Sequence, residues 1–144
     1  MSIKTIADLS TPLNSEADQL HDASKNIHEL LLTYWKSDRG LSRCSQAELD
    51  ENSHFAINFS ALKFCCLSRQ RLVFREKNLI AEIDFYVHNK ETDTSVLKCY
   101  LDTYGNISFD ESGDVLDIYS DPYVPAKILS KLFSAASNKK IISI

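Results

Sequence analysis

Leu79-Ile80-Ala81-Glu82-Ile83-Asp84-Phe85-Tyr86-Val87-His88, followed by Leu97-Lys98-Cys99-Tyr100-Leu101-Asp102, decides the fold. Side chains alternate between the two faces of a strand, so the first run puts Leu79, Ala81, Ile83, Phe85 and Val87 on one side. Glu82, Asp84, Tyr86 and His88 fall on the other. The second run divides the same way, with Leu97, Cys99 and Leu101 opposed to Lys98, Tyr100 and Asp102. Two such strands in succession predict an antiparallel sheet with one buried face and one polar face.

Matching the faces sets the register. With Asp84 opposite Lys98, Phe85 meets Leu97, Ile83 meets Cys99 and Ala81 meets Leu101. A slip of one residue would set apolar side chains against polar ones. The next turn yields to the same argument. A loop of Thr103-Tyr104-Gly105 puts glycine at a left-handed position and pairs Leu101 with Ile107 and Cys99 with Phe109.

Outward from this centre, Arg71–Arg75 precedes the first run across the polar link Glu76-Lys77-Asn78, which suits a hairpin. His54–Leu67 changes phase between Phe55, Ile57, Phe59 and Leu62, Phe64, Cys66. A strand bulged near Ser60-Ala61 and a helix burying Phe55, Phe59, Leu62 and Cys66 both accommodate the change; the strand is the reading followed. Glu111-Ser112-Gly113-Asp114 reads as a turn into a last strand, Val115–Tyr119, with Leu116 and Ile118 on the buried side.

Helices bracket the strands. Leu13, Ala17, Leu20, Ile27, Leu31, Tyr34 and Trp35 fall at helical spacing, predicting a long helix from Pro12 to Lys36 capped by Thr11. Ile3, Ile6 and Leu9 suggest a short turn before it, and Ser45–Glu51 a brief helix with Glu48 completing a capping box. Ile128, Leu129, Leu132, Phe133 and Ala136 define a C-terminal helix entered through Asp121-Pro122 and Pro125, with Asn138 as its cap. The expected fold is a single α+β domain over residues 1–144. Its antiparallel meander has about five to six strands, with both helices packed on one face.

Composition narrows the function. The chain has 144 residues, 44% hydrophobic and 25% charged, as in an ordinary globular protein, and a formal charge of −4. Without a basic stripe, a nucleic-acid partner is not expected. No apolar run reaches the length of about 18 residues that a membrane helix needs, and the first residues lack a secretory h-region. A cytoplasmic protein, with its four cysteines reduced, is therefore expected. Cys65-Cys66 lies in an apolar run and reads as packing.

Motifs for catalysis are missing from the sequence. Three glycines in the whole chain cannot build a phosphate-cradling loop, and there is no Gly-x-Ser-x-Gly elbow and no Cys-x-x-Cys. His21 and His28 are seven apart on the helix, a poor spacing for one metal. No cofactor, metal or catalytic residue is therefore assigned. What remains is the co-facial set Asp84, Tyr86, His88, Lys98, Tyr100 and Asp102, an amphipathic patch of the kind found at protein interfaces. Tyr104 accompanies it, and Tyr119 and Tyr123 extend it if the fold brings them near.

The leading expectation is a small non-catalytic binding protein (an inhibitor, an immunity protein or a chaperone-like module) that meets a protein partner through this face. The alternative is a cone-shaped ligand-binding protein or small enzyme with a pocket lined by Tyr86, His88, Tyr100 and Asp102. A homodimer burying the tyrosine face is the third reading.

Overall fold

A computed structural model of the chain describes residues 5–52, 54–89, 91–110 and 114–142. The expected turn at Glu111-Ser112-Gly113 and the position of Ile3 lie outside the described residues. Helix α1 (Ile6–Ser37) and the short α2 (Arg39–Cys44) lead into seven strands. These are β1 (Gln46–Leu49), β2 (Phe55–Phe59), β3 (Phe64–Arg75), β4 (Asn78–Asn89), β5 (Thr92–Leu101), β6 (Asn106–Phe109) and β7 (Val115–Asp117). Helix α3 (Val124–Asn138) follows. The strands lie in chain order in one antiparallel sheet of seven strands rather than the expected five to six, the addition being β1 where a brief helix was expected, and the sheet curves into a half-barrel.

The register argued from facing holds. Ala81, Ile83, Asp84 and Phe85 lie opposite Leu101, Cys99, Lys98 and Leu97. Past Phe85 the pairing shifts, so that Tyr86 meets Ser95 and Val96 bulges out of the ladder. Leu101 pairs with Ile107 and Cys99 with Phe109 across the three-residue loop, where Gly105 has φ +84°. Gly105 supplies that backbone angle without strain, and a Cβ there would push aside the exposed Tyr119 ring.

Three expectations need correction. The phase change after Phe59 is neither a bulge nor a helix. It is a tight reversal through a short 3-10 turn (Ser60–Leu62) and Lys63 at φ +52°, which pairs Phe59 with Phe64. The segment 54–67 is therefore two strands, and β3 runs unbroken to Arg75. Ser45–Glu51 is not helical. Asp38 caps α2 by accepting the Leu41 N–H at 3.0 Å, and Ser45 instead accepts the indole N–H of Trp35 at 2.9 Å. That frees Ala47 and Leu49 to alternate inward along β1. Finally, α1 begins at Ile6 rather than Pro12. Thr5 and Asp8 form a reciprocal capping box (3.1 and 3.2 Å), and Pro12 is accommodated inside the helix, where it forgoes one backbone bond.

Both helices pack on the apolar side of the sheet. Trp35 of α1 and Phe133 of α3 stack at 6.0 Å and meet Phe59 of β2, while Phe133 also meets Phe64 of β3 and Trp35 meets Phe55. Ile83, Phe85, Leu101, Ile107 and Phe109 are buried beneath them, and Leu97 is half-buried. Polar groups inside this core are tied. The His28 ring donates from Nδ1 to the Ser24 carbonyl at 2.7 Å, so its Nε2 is the acceptor and takes the Ser68 hydroxyl proton at 2.8 Å. Ser68 Oγ in turn accepts the Phe55 N–H at 2.8 Å. Burial pushes the His28 pKa down to about 4, against the opposing pull of the Ser24 bond.

Candidate binding face

The other side of the sheet is polar, and neither helix sits on it. With the phase of β3 known, Arg69, Arg71 and Arg75 all point outward from that strand, toward acids on β4, on β5 and just beyond β6. Arg71 forks onto Glu82 with bonds of 2.9 and 3.3 Å. Arg69 reaches Asp84 at 3.1 Å and Asp93 at 3.0 Å, and Ser95 donates to the second oxygen of Asp84 at 2.6 Å. Arg75 pairs with Asp110 at 2.9 Å. The Glu82 hydrogen bond holds the Arg71 guanidinium even more firmly protonated than usual.

The guanidinium groups also cover aromatic rings. Arg75 lies 3.6 Å from the Tyr100 ring centre and Arg69 lies 4.2 Å from that of Tyr86. The result is a layer of exposed arginines that shields two of its acids, Asp84 (5% exposed) and Glu82 (7%), and the ring of Tyr100, while Asp93 and Asp110 stay partly open. Exposed ion pairs contribute little individually. Here shared partners and forked geometry lock the side chains into one arrangement.

The six residues singled out from the sequence share this face, in different circumstances. Asp84 is a buried anchor for Arg69 and Ser95. Tyr86 is half-buried under Arg69. His88 is exposed and bonds Asp93 at 2.7 Å, and that bond leads the causes holding the Asp93 carboxyl below its usual pKa. Lys98 lies opposite Asp84 in register but makes no ion pair among the described residues, because Asp84 is already engaged. Asp102 organises the β5–β6 turn, accepting the N–H groups of Tyr104 and Asn106 at 2.9 Å each.

Tyr100 overturns an expectation. It is not a surface residue: only 7% exposed, it is roofed by Arg75 and donates its hydroxyl to Asp110 at 2.8 Å. Burial, and then that bond, push its pKa up to about 12. The exposed tyrosines are Tyr104 (79%), Tyr119 (72%) and Tyr123 (67%). Tyr104 and the Tyr119 ring flank Gly105 at one end of the sheet. A groove of about 560 Å³ opens beside them over Ile80, Tyr100, Asp102 and Val115. Tyr86 and His88 stand toward the opposite end of β4, outside this groove, so it does not join the four residues of the expected cone.

Arg69, Arg71, Arg75 and Asp110 are the members that sequence reasoning missed. Arg71 and Arg75 stood on an expected strand whose partners were not assigned, Arg69 came into phase only once β3 was seen to start at Phe64 after the turn at Ser60–Lys63, and Asp110 follows the end of β6. Among the described residues, no group of three or more His, Cys, Asp or Glu side chains is placed to hold a metal ion. The four cysteines are free thiols; Cys66 and Cys99 are buried, while Cys65, expected to pack, is exposed together with Cys44. No helix among the described residues is long and apolar enough to cross a membrane. Comparison with protein-family models, curated proteins and solved structures finds no match, and the geometry of this face stands on its own.

Proposed function

We propose that the protein is a non-catalytic binding module of the cytoplasm that docks a partner protein on the polar face of its sheet. The observation that carries this reading is an uncovered face whose side chains are already fixed by the arginine layer. Tyrosine and arginine are the residues that concentrate binding energy at interfaces. Side chains frozen before association lose little further entropy on binding. In this reading Tyr86, His88 and Lys98 touch the partner, Asp84 and Tyr100 hold the arginines in place, and Asp102 presents Tyr104 at the margin. The free thiols suit a reducing compartment.

The test is affinity capture from native lysate with the wild-type chain and with Tyr86→Ala, followed by calorimetry on whatever the wild type retains. Loss of the Tyr86 ring from beneath Arg69 should weaken that partner by about 2 kcal/mol, with the melting temperature nearly unchanged. Equal affinity of Tyr86→Ala and the wild type would reduce the face to ordinary solvated sheet.

A further inference from the structure

The polar face builds one arrangement twice. Arg75 lies 3.6 Å from the Tyr100 ring centre and pairs with Asp110 at 2.9 Å. Arg69 lies 4.2 Å from the Tyr86 ring centre and pairs with Asp84 and Asp93. In both, a guanidinium is held by the face of a tyrosine and by carboxylate oxygens together.

The groove of about 560 Å³ beside the β5–β6 turn brings a ring and carboxylates together without such a cation. Tyr104 stands on it, 79% exposed, and no cation covers its ring among the described residues. Glu16, Glu76 and Asp102 line the groove against one guanidinium, Arg75, which is spent on Asp110 and Tyr100. Asp102 is committed to the turn, where it accepts the N–H groups of Tyr104 and Asn106. Glu16 and Glu76 make no hydrogen bond or ion pair among the described residues. Lys77, next to Glu76, does not line the groove.

These parts are held in place. Gln19 of α1 donates to the Thr103 carbonyl at 2.9 Å and ties the helix that carries Glu16 to the turn that carries Tyr104. Ile80 and the Tyr100 ring are buried beneath the groove and Val115 is exposed at its side, an apolar track for a methylene stem.

We infer that this groove receives an arginine side chain of a partner protein. The guanidinium lies on Tyr104 and is neutralised by Glu16 and Glu76, and its methylenes run over Ile80 and Val115. The inference rests on reading the polar face as a docking surface, and it gives the partner a chemistry: basic where it meets this end of the sheet.

The experiment is an amide NMR titration of the isotope-labelled full chain, at low salt, with the capped pentapeptide Ala-Ala-Arg-Ala-Ala. Shifts should gather at Glu76, Ile80, Tyr104 and Asn106 and saturate with a Kd of about 1–5 mM. The citrulline peptide, of the same shape without the charge, should bind about tenfold more weakly, and the lysine peptide about threefold more weakly. Tyr104→Ala and the double variant Glu16→Gln/Glu76→Gln, each verified as folded by its melting temperature, should weaken the arginine peptide about fivefold. Tyr86 lies outside the groove, so Tyr86→Ala should bind the peptide like the wild type. Equal binding of the arginine and citrulline peptides would overturn the inference. Shifts spread over the other exposed acids without saturation would reduce the contact to diffuse charge attraction and overturn it too.

The two readings of this face separate in the capture experiment. Capture that survives Tyr86→Ala but not Glu16→Gln/Glu76→Gln would confine docking to the groove, refuting the wider face and upholding the arginine site; the reverse pattern would refute the arginine site alone. A dimer in sedimentation velocity that Glu16→Gln/Glu76→Gln dissolves would make the arginine that of a second copy and refute the separate partner.

Discussion

Acidification from pH 7 to pH 4 should strike the protein at His28. In the folded chain the ring is buried, donates to the Ser24 carbonyl and accepts from Ser68, whose oxygen is already taking the Phe55 N–H. A second ring proton would face the Ser68 hydroxyl proton and reverse the polarity of that chain. The groups around the ring give little help. His54 lies 5.7 Å away and disfavours the charged form of His28, and Lys25 is a further cation at the same site. Asp50 favours the charged form, while His21, Asp22, Asn52 and Gln70 complete the surroundings.

The folded pKa is about 4 against an ordinary 6.5. In this window the unfolded chain binds the proton and the folded chain does not. Stability is therefore intact above pH 6.5 and is lost as pH falls toward 4. At about 1.4 kcal/mol per decade of proton affinity, the loss is about 3 kcal/mol. Urea denaturation at a series of pH values, for the wild type and His28→Gln, measures it. The variant should be about 1–2 kcal/mol less stable at pH 7 from its imperfect hydrogen bonds, but should lose much less on acidification. Parallel pH profiles for the two proteins, or an NMR titration showing His28 protonating near 6.5, would refute the reasoning.

Phe85→Ala should cost about 3–5 kcal/mol in the same assay, since the ring is buried on the helix side of the sheet and leaves a cavity. Tyr100→Ala, at a site shielded by Arg75, should cost about 2–4 kcal/mol, far more than a solvent-facing tyrosine; a change below about 0.5 kcal/mol would contradict its burial. A thiol reagent should label Cys44 and Cys65 in the native protein and spare Cys66 and Cys99, whose thiol pKa values burial pushes up to about 12, until denaturant is added.

The centre of the sheet was legible because its two faces differ so sharply. Ile83 and Phe85 against Asp84 and Tyr86 leave one acceptable register with Cys99 and Leu97, and Gly105 marks the following turn. The reversal before β3 was not legible. Its left-handed residue is Lys63, and that of the β3–β4 hairpin is Glu76, so neither turn carries a glycine or asparagine signal at that position. The start of β3, and Arg69 with it, was lost there, whereas Arg71 and Arg75 lay on an expected strand. Parity placed Tyr100 on the correct face, but its cover comes from Arg75, on a strand that is not its direct neighbour. Alternation along one strand says nothing about a long side chain reaching across another.

Strand order that copies chain order has a kinetic consequence. Each pairing from β1 to β7 joins consecutive segments, so the sheet can grow by short loop closures without waiting for distant parts of the chain. The exception is α1, which rests on β4 and on α3. Its apolar stripe, with Leu31 and Trp35, is synthesised first and loses its last exposed side only when α3 closes over it. Trp35 fluorescence should change when α1 meets Phe55 and Phe59 of β2, and again when Phe133 of α3 closes over the ring.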